Sequence, residues 1–281
     1  MKVKIIECPR DAMQGLVNFI DTDTKVNYLN ALLQVGFDTL DCGSFVNPKF
    51  IPQMADTPQV LKRLNMTETK LSVIVANVRG AESAVEFDEI TYLGYPFSVS
   101  ETFQLRNTNK TIEESLKIVE EIIELCHKRH KKFITYLPMS FGNRYNDPWS
   151  PEILNSWISK LKQIGANYFS LSDTVGISKP DTISQVISHI RDEFPKLNFG
   201  CHFHTRPDEW REKIEAAFTA GCYRFDGALK GYGGCPMADD ELVGNMPTEN
   251  MISYFEEHKI NLGLDKEKLN EAMTLASAIF L

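Results

Sequence analysis

Cysteine is scarce and scattered in this 281-residue chain: the six, at 8, 42, 126, 201, 222 and 235, include no CxxC pair. That spacing excludes a disulfide frame and reads as free thiols in a reducing compartment. No apolar run reaches membrane length, and the opening MKVKIIECPRD shows neither a signal peptide nor an Arg-rich presequence. The expectation is therefore a cytoplasmic protein with no membrane partner. Positive charge is also in short supply, 30 Lys and Arg against 38 Asp and Glu, for a net charge of −8. Such a balance excludes general affinity for nucleic acid, and an anionic substrate would need a local basic pocket. A Gly-rich dinucleotide turn is missing as well, because ECPRDAMQG after the first strand is not GxGxxG. No linker, low-complexity segment or internal repeat divides the chain, so one domain over 1–281 is expected.

What is present is a strict alternation. Strand-like runs read VKIIEC (3–8), FDTLDC (37–42), KLSVIVAN (70–77), DEITYL (88–93), KFITYL (132–137), NYFSLS (167–172), LNFGCHFH (197–204) and YRFDGAL (223–229). Several are β-branched or aromatic and apolar almost throughout, as strands buried on both faces should be. Between them lie helical periods, such as TKVNYLNALLQVG ending on Gly36, and IEESLKIVEEIIELCHKRH, preceded by the capping-box pair Thr111 and Glu114. Eight strand–helix units predict an α/β fold, a (β/α)8 TIM barrel, with additional C-terminal helices over 247–257 and 266–279. The alternative is a doubly wound open sheet, which the missing glycine turn disfavours.

A barrel places reactive groups just past the C-terminal ends of its strands. There the chain carries Arg10 and Asp11 after strand one, Asp41 at the end of strand two, and Asn77 and Arg79 after strand three. Strand six ends in Ser172 and Asp173, strand seven in His202 and His204, and a Gly-rich loop with Cys235 and Asn245 follows strand eight. Residues two apart on a strand point to one face, so both imidazoles can aim at the barrel mouth. With Asp11 they form a nitrogen–oxygen set that suits Mg, Mn, Zn or Fe(II). The competing reading is two loop histidines without a ligand. Cys235 sits in GYGGCP, where a mobile loop could bring its thiol over a metal for proton transfer, or could simply bury it. The other five cysteines read as packing residues. Arg10 is either half of an ion pair with Asp11 or an oxyanion donor. Asp173 is either a helix N-cap or a carboxylate orienting the arginine or a histidine.

The stretches ECPRDAMQ, GSFVNPKFIPQM, VANVRG, SETFQLRNTNKTIEES, SLSDTVG, the HxH pair and GGCP followed by GN together resemble the hydroxymethylglutaryl-CoA lyase family, over about residues 4–279. The resemblance implies cleavage of 3-hydroxy-3-methylglutaryl-CoA (HMG-CoA) to acetyl-CoA and acetoacetate with Mg or Mn. It implies that Asp11, His202, His204 and Asn245 ligate the metal, and that Arg10 stabilises the acetyl-CoA enolate. It further implies that Cys235 and His202 move protons, and that Asp41 stands where the family has a catalytic acid, usually Glu. Asn77, Arg79, Ser172 and Asp173 are expected to face the substrate. Lys49, Arg79 and Arg106 are candidates for the CoA phosphates, and a homodimer is implied.

The chain departs from the family pattern at Ala12, where the familiar motif is RDG, and at Asp41, Ile134 and Thr205. None of these removes a candidate ligand, yet they bear on which acyl group fits. The alternatives are a related lyase, an aldolase or a Claisen-type synthase on another 3-hydroxyacyl-CoA. A non-catalytic acyl-CoA-binding barrel is the reading from a different class.

Overall fold

In the computed structural model, which describes residues 2–234 and 243–280, eight strands close into a barrel in chain order. They are β1 (Lys4–Glu7), β2 (Thr39–Ser44), β3 (Lys70–Ile74), β4 (Ile90–Pro96), β5 (Lys132–Pro138), β6 (Tyr168–Asp173), β7 (Asn198–Phe203) and β8 (Arg224–Gly227). All neighbouring pairs are parallel, and β1 closes on β8 with Ile6 opposite Asp226. Parallel neighbours need a crossover to return the chain, and helices outside the barrel supply it.

The helices form where the apolar period and the caps agree. Ile112–Lys128 starts at Thr111, whose hydroxyl accepts from Glu114 N while Glu114 reaches back to Thr111 N at 2.8 Å, so the predicted capping box is formed. Its buried stripe includes Val119, Ile122, Ile123 and Cys126, and it packs on β5. Each fully buried aliphatic side chain there contributes roughly 1.5–3 kcal/mol, and cutting Ile122 back to Ala would cost about 2–5 kcal/mol. Thr22–Leu33 is capped by Asp21 and ends at Leu33, three residues before the glycine expected to stop it. Gly36, at φ +89°, instead turns the chain into β2. The C-terminal helices are Thr248–Glu257 and Lys266–Phe280.

Two features of the barrel bear on the site. Inside it, Tyr92, Ile134 and Tyr136 pack together with Ile74 and Tyr168, filling the lumen as barrels of this size require. The second feature corrects an expectation: β2 does not end at Asp41 but runs on to Ser44, with a bulge between Asp41 and Gly43 against β3. Bulges re-aim side chains next to active sites. Gly43 is required here, because a Cβ at that position would come within 2.5 Å of the Thr57 methyl.

Candidate active site

The strand register assembles the central cluster. His202 on β7 lies opposite Asp226 on β8, and Asp226 lies opposite Ile6 on β1, so the residues just beyond β1 reach His202 around the closure. Pro9 then starts the short helix Pro9–Gln14, which carries Arg10 and Asp11 over the barrel end. The segment after the loop runs back beside β7: His204 bridges Asn245, Thr205 N donates to Gly244 O and Met246 N donates to Phe203 O. Asn245 is thereby laid next to His204.

Asp11, His202 and His204 offer ligand atoms that all lie within 4.8 Å of one another, and all three residues are buried. Their unused valences converge. Asp11 Oδ2 and Asn245 Oδ1 are buried with no hydrogen-bond partner among the described residues. His204 Nδ1 donates to Val243 O at 2.9 Å, which leaves its Nε2 lone pair free. His202 Nε2 stands 3.8 Å from Asp11 Oδ2. Asn245 Nδ2 donates to Tyr232 O, which turns its oxygen the other way. Orphaned buried acceptors are costly unless something meets them, and a divalent cation fits this oxygen–nitrogen set. The backbone closes tightly around it: a Cβ on Gly233 would come within 2.6 Å of Asp11 O, and its φ is +90°.

Arg10 borders this cradle with its guanidinium pinned on both sides. Nε and one terminal nitrogen donate to Asp41, and the other donates to Asp11 Oδ1 at 2.6 Å and to Gln14 Oε1 at 3.0 Å. Burial works against charge on Asp11, yet Arg10, then His202 and His204, outweigh it and hold the carboxyl down to about 2. Asp41 has no exposed surface, and burial pushes its carboxyl up in spite of Arg10. Burial likewise opposes a charge on His202, but Asp226 and then Asp11 raise it. His204 is lowered, by burial first and by His202 next, and so stays neutral.

These groups floor a cavity of about 510 Å3 lined by Arg10, Asp11, Tyr136, Ser172, His202 and His204, with Asn77, Arg106 and Lys110 also on its walls. A larger hollow of about 580 Å3, between residues 16–27 and the last helix, holds none of the cluster. The other expected residues divide. Ser172 lines the cavity, but Asn77 also caps the helix Val78–Ala84, accepting from Gly80 N. Arg79 is exposed, and neither it nor Lys49 lines the cavity. Asp173 does not line it either. Its oxygens accept from Ile177 N, Ser178 N, Ser178 Oγ and the buried Lys213 ammonium. It orients neither Arg10 nor a histidine ring, and its part is to tie the β6 loop to Lys213, which also donates to His204 O. Cys235 lies outside the described residues.

Asp226 went unnoticed in the sequence. Buried on β8, it stands 3.4 Å from His202 Nδ1 and accepts from Ser170 Oγ at 2.8 Å. Tyr136, whose ring meets that of His202 edge-on at 6.1 Å, was missed as well. The signal was available: Arg224 and Asp226 share one face of an otherwise apolar strand, and charge on a strand buried on both faces calls for a partner.

The HMGL-like family profile matches residues 2–276, nearly the whole chain. The chain belongs to the HMGL-like family. Its relatives include the mitochondrial hydroxymethylglutaryl-CoA lyase of Macaca fascicularis, 30% identical over 96% of this chain and 83% of that one. The cytoplasmic 3-hydroxy-3-methylglutaryl-CoA lyase of Rattus norvegicus is also 30% identical, over 96% and 79%. Among solved structures, an HMG-CoA lyase from Acinetobacter baumannii, in complex with coenzyme A and 3-methylmalate, superposes with a TM-score of 0.92. It is 28% identical and covers 99% of this chain and 91% of that one. An HMGL-like chain with a closed barrel and a candidate divalent-metal cluster at the strand ends is an enzyme of the lyase type.

Proposed function

We propose that this chain, as one catalytic barrel over 1–281, is a divalent-metal-dependent carbon–carbon lyase that cleaves HMG-CoA to acetyl-CoA and acetoacetate. The observation that carries the reading is the meeting of Asp11, His202 and His204 beside a pinned Arg10 at a cavity floor. In that cradle Asp11, His202, His204 and Asn245 would hold Mg or Mn, which supplies Lewis acidity to the substrate's tertiary hydroxyl.

The remaining work belongs to the chain. The hydroxyl proton passes to a base, and His202, on the cavity wall beside Asp11, is the residue we assign to that transfer. The carbon–carbon bond then breaks, and its electron pair moves into the thioester as an enolate. Arg10, fixed by Asp41 and Asp11, meets that charge without reorganising. A proton returned to the methylene carbon completes acetyl-CoA, and Cys235 is the acid we assign to it. Asp41 acts through Arg10. Ser172 and Asn77 border the acyl group, while Arg106 and Lys110 on the cavity wall suit the CoA phosphates.

No helix among the described residues is long and apolar enough to cross a membrane, and the rat relative is named cytoplasmic; we assign a cytoplasmic location. A homodimer is our reading of the family resemblance, and sedimentation would measure it. The substrate is tested by comparing kcat/KM for HMG-CoA with that for other 3-hydroxyacyl-CoAs. HMG-CoA should be preferred by at least about tenfold, the discrimination worth roughly 1.4 kcal/mol. A clear preference for another acyl group would move the assignment to a sibling lyase; neither Ile134 nor Thr205, where the chain departs from the family pattern, lines the cavity.

A further inference from the structure

We propose a second cation site on the inner side of His202, formed by Cys8 Sγ, His202 Nδ1 and a carboxylate oxygen of Asp226, and suited to Zn2+ or Cd2+. The three ligand atoms lie within 4.8 Å of one another, and all three residues are buried. The barrel closure brings them together: Asp226 faces His202 in register on β7 and Ile6 on β1, and Cys8 N donates to Gly227 O at 2.8 Å. Two of the ligand groups already face each other, His202 Nδ1 at 3.4 Å from Asp226, and an entering ion would take the place of that contact. Among the described residues His202 Nδ1 and Asp226 Oδ1 make no hydrogen bond, only that ionic contact and the one with Arg224, and the two residues are only 7% and 2% exposed. Cys8 is a free thiol with no exposed surface.

The donor set separates this site from the one facing the cavity. Asp11, His204 and Asn245 supply oxygen and nitrogen, which hard ions accept. A thiolate with an imidazole and one carboxylate instead favours a borderline-soft ion that takes few ligands, as Zn2+ does, with one position open. Mg2+ prefers oxygen and does not compete for sulfur. On binding, the Cys8 thiol and the His202 Nδ1–H each release a proton to solvent, and the ion is met by thiolate, carboxylate and a ring that bridges the two sites as imidazolate. Arg224, 3.3 Å from Asp226, opposes any cation there, so only an ion that gains the sulfur bond is held. His202 is part of the cavity wall, so the site lies directly behind that wall. One imidazole then serves both sites, Nε2 outward and Nδ1 inward. Soft ions should therefore depress turnover even at saturating Mg2+, a consequence that rests on the lyase reading, whereas the binding itself does not.

The test uses Mg2+-saturated protein carrying Cys235→Ser, which removes the one cysteine of the Gly-rich loop. Titration with Cd2+ should raise an ultraviolet thiolate-to-cadmium charge-transfer band that saturates near one equivalent, and adding Cys8→Ala should abolish it. A band absent in the first protein, or undiminished in the second, overturns the site. Cadmium NMR of the Cys235→Ser protein gives a readout independent of how Cys8→Ala folds. A resonance shifted by sulfur is expected, and signals confined to the oxygen–nitrogen range would refute it. Neither readout involves acetoacetate, so failure of this site and failure of the lyase assignment are distinguishable.

Discussion

Arg10 is held by two carboxylates and an amide, and it is this restraint that makes it an oxyanion donor. Arg10→Met should lower kcat by about 10²-fold or more with little change in KM, since the interaction belongs to the transition state. It should also lower the melting temperature, because Asp11 and Asp41 would remain buried without their cation, a loss worth about 3–5 kcal/mol. Steady-state kinetics and a thermal melt read the two effects separately. His204→Ala removes a neutral imidazole whose free Nε2 has no other use. The purified variant should not retain stoichiometric Mn after gel filtration, and full retention would strike His204 from the ligand set. Cys235→Ser should cut turnover while metal content stays at the wild-type level; unchanged turnover would take the thiol out of the proton transfer. Much of this residue-level account could be read from the sequence, because Arg10, Asp11, His202 and His204 fall at strand ends where barrel chemistry sits. Asp173 could not be read correctly. Its partner Lys213 is 40 positions away on an outer helix, and no local pattern announces that pairing.

At the scale of elements, β1 carries two roles on its two faces. Toward the lumen it presents the residues that lead to the cluster, and toward the helices it buries Glu7. That carboxylate accepts from Leu229 N at 2.8 Å and from Thr248 Oγ1 at 2.5 Å, tying β1 to both ends of the strap between β8 and the helix Thr248–Glu257. Burial, with Glu249 adding to it, raises Glu7 from 4.5 to about 8 against the pull of those two bonds, and the buried Tyr28 hydroxyl lies near. The folded protein therefore keeps a proton that the unfolded chain releases. Stability from this group is complete below about pH 4.5 and is lost as pH rises through 8. Glu7→Gln keeps one acceptor and one donor and never ionises, so its melting temperature should fall less than that of the wild type between pH 6 and pH 9, on the order of several degrees. Parallel melting curves that decline equally would remove Glu7 as the source. The strands and most helices were legible because apolar runs and caps agreed. The extension of β2 past Asp41 was not, since a bulge leaves no mark in the hydrophobic pattern and depends on Thr57 crowding Gly43.

For the whole molecule, net negative charge and a cavity walled by Arg106 and Lys110 act at different ranges. The surface discourages polyanions in general, while the mouth offers cations to a single anionic ligand. The barrel was readable from eight alternations and a missing glycine turn, because few architectures accommodate them. The outer face of the cluster was readable as well. Its inner face, Asp226 behind His202, required the register of three strands. The central claim is that this cradle and Arg10 serve one reaction, and acetoacetate release from HMG-CoA tests it most directly. With Mg2+ present, release should be robust; after EDTA it should fall to background and return when Mg2+ is restored. Release that persists unchanged in EDTA, or none at all in protein that retains its metal, would contradict the account.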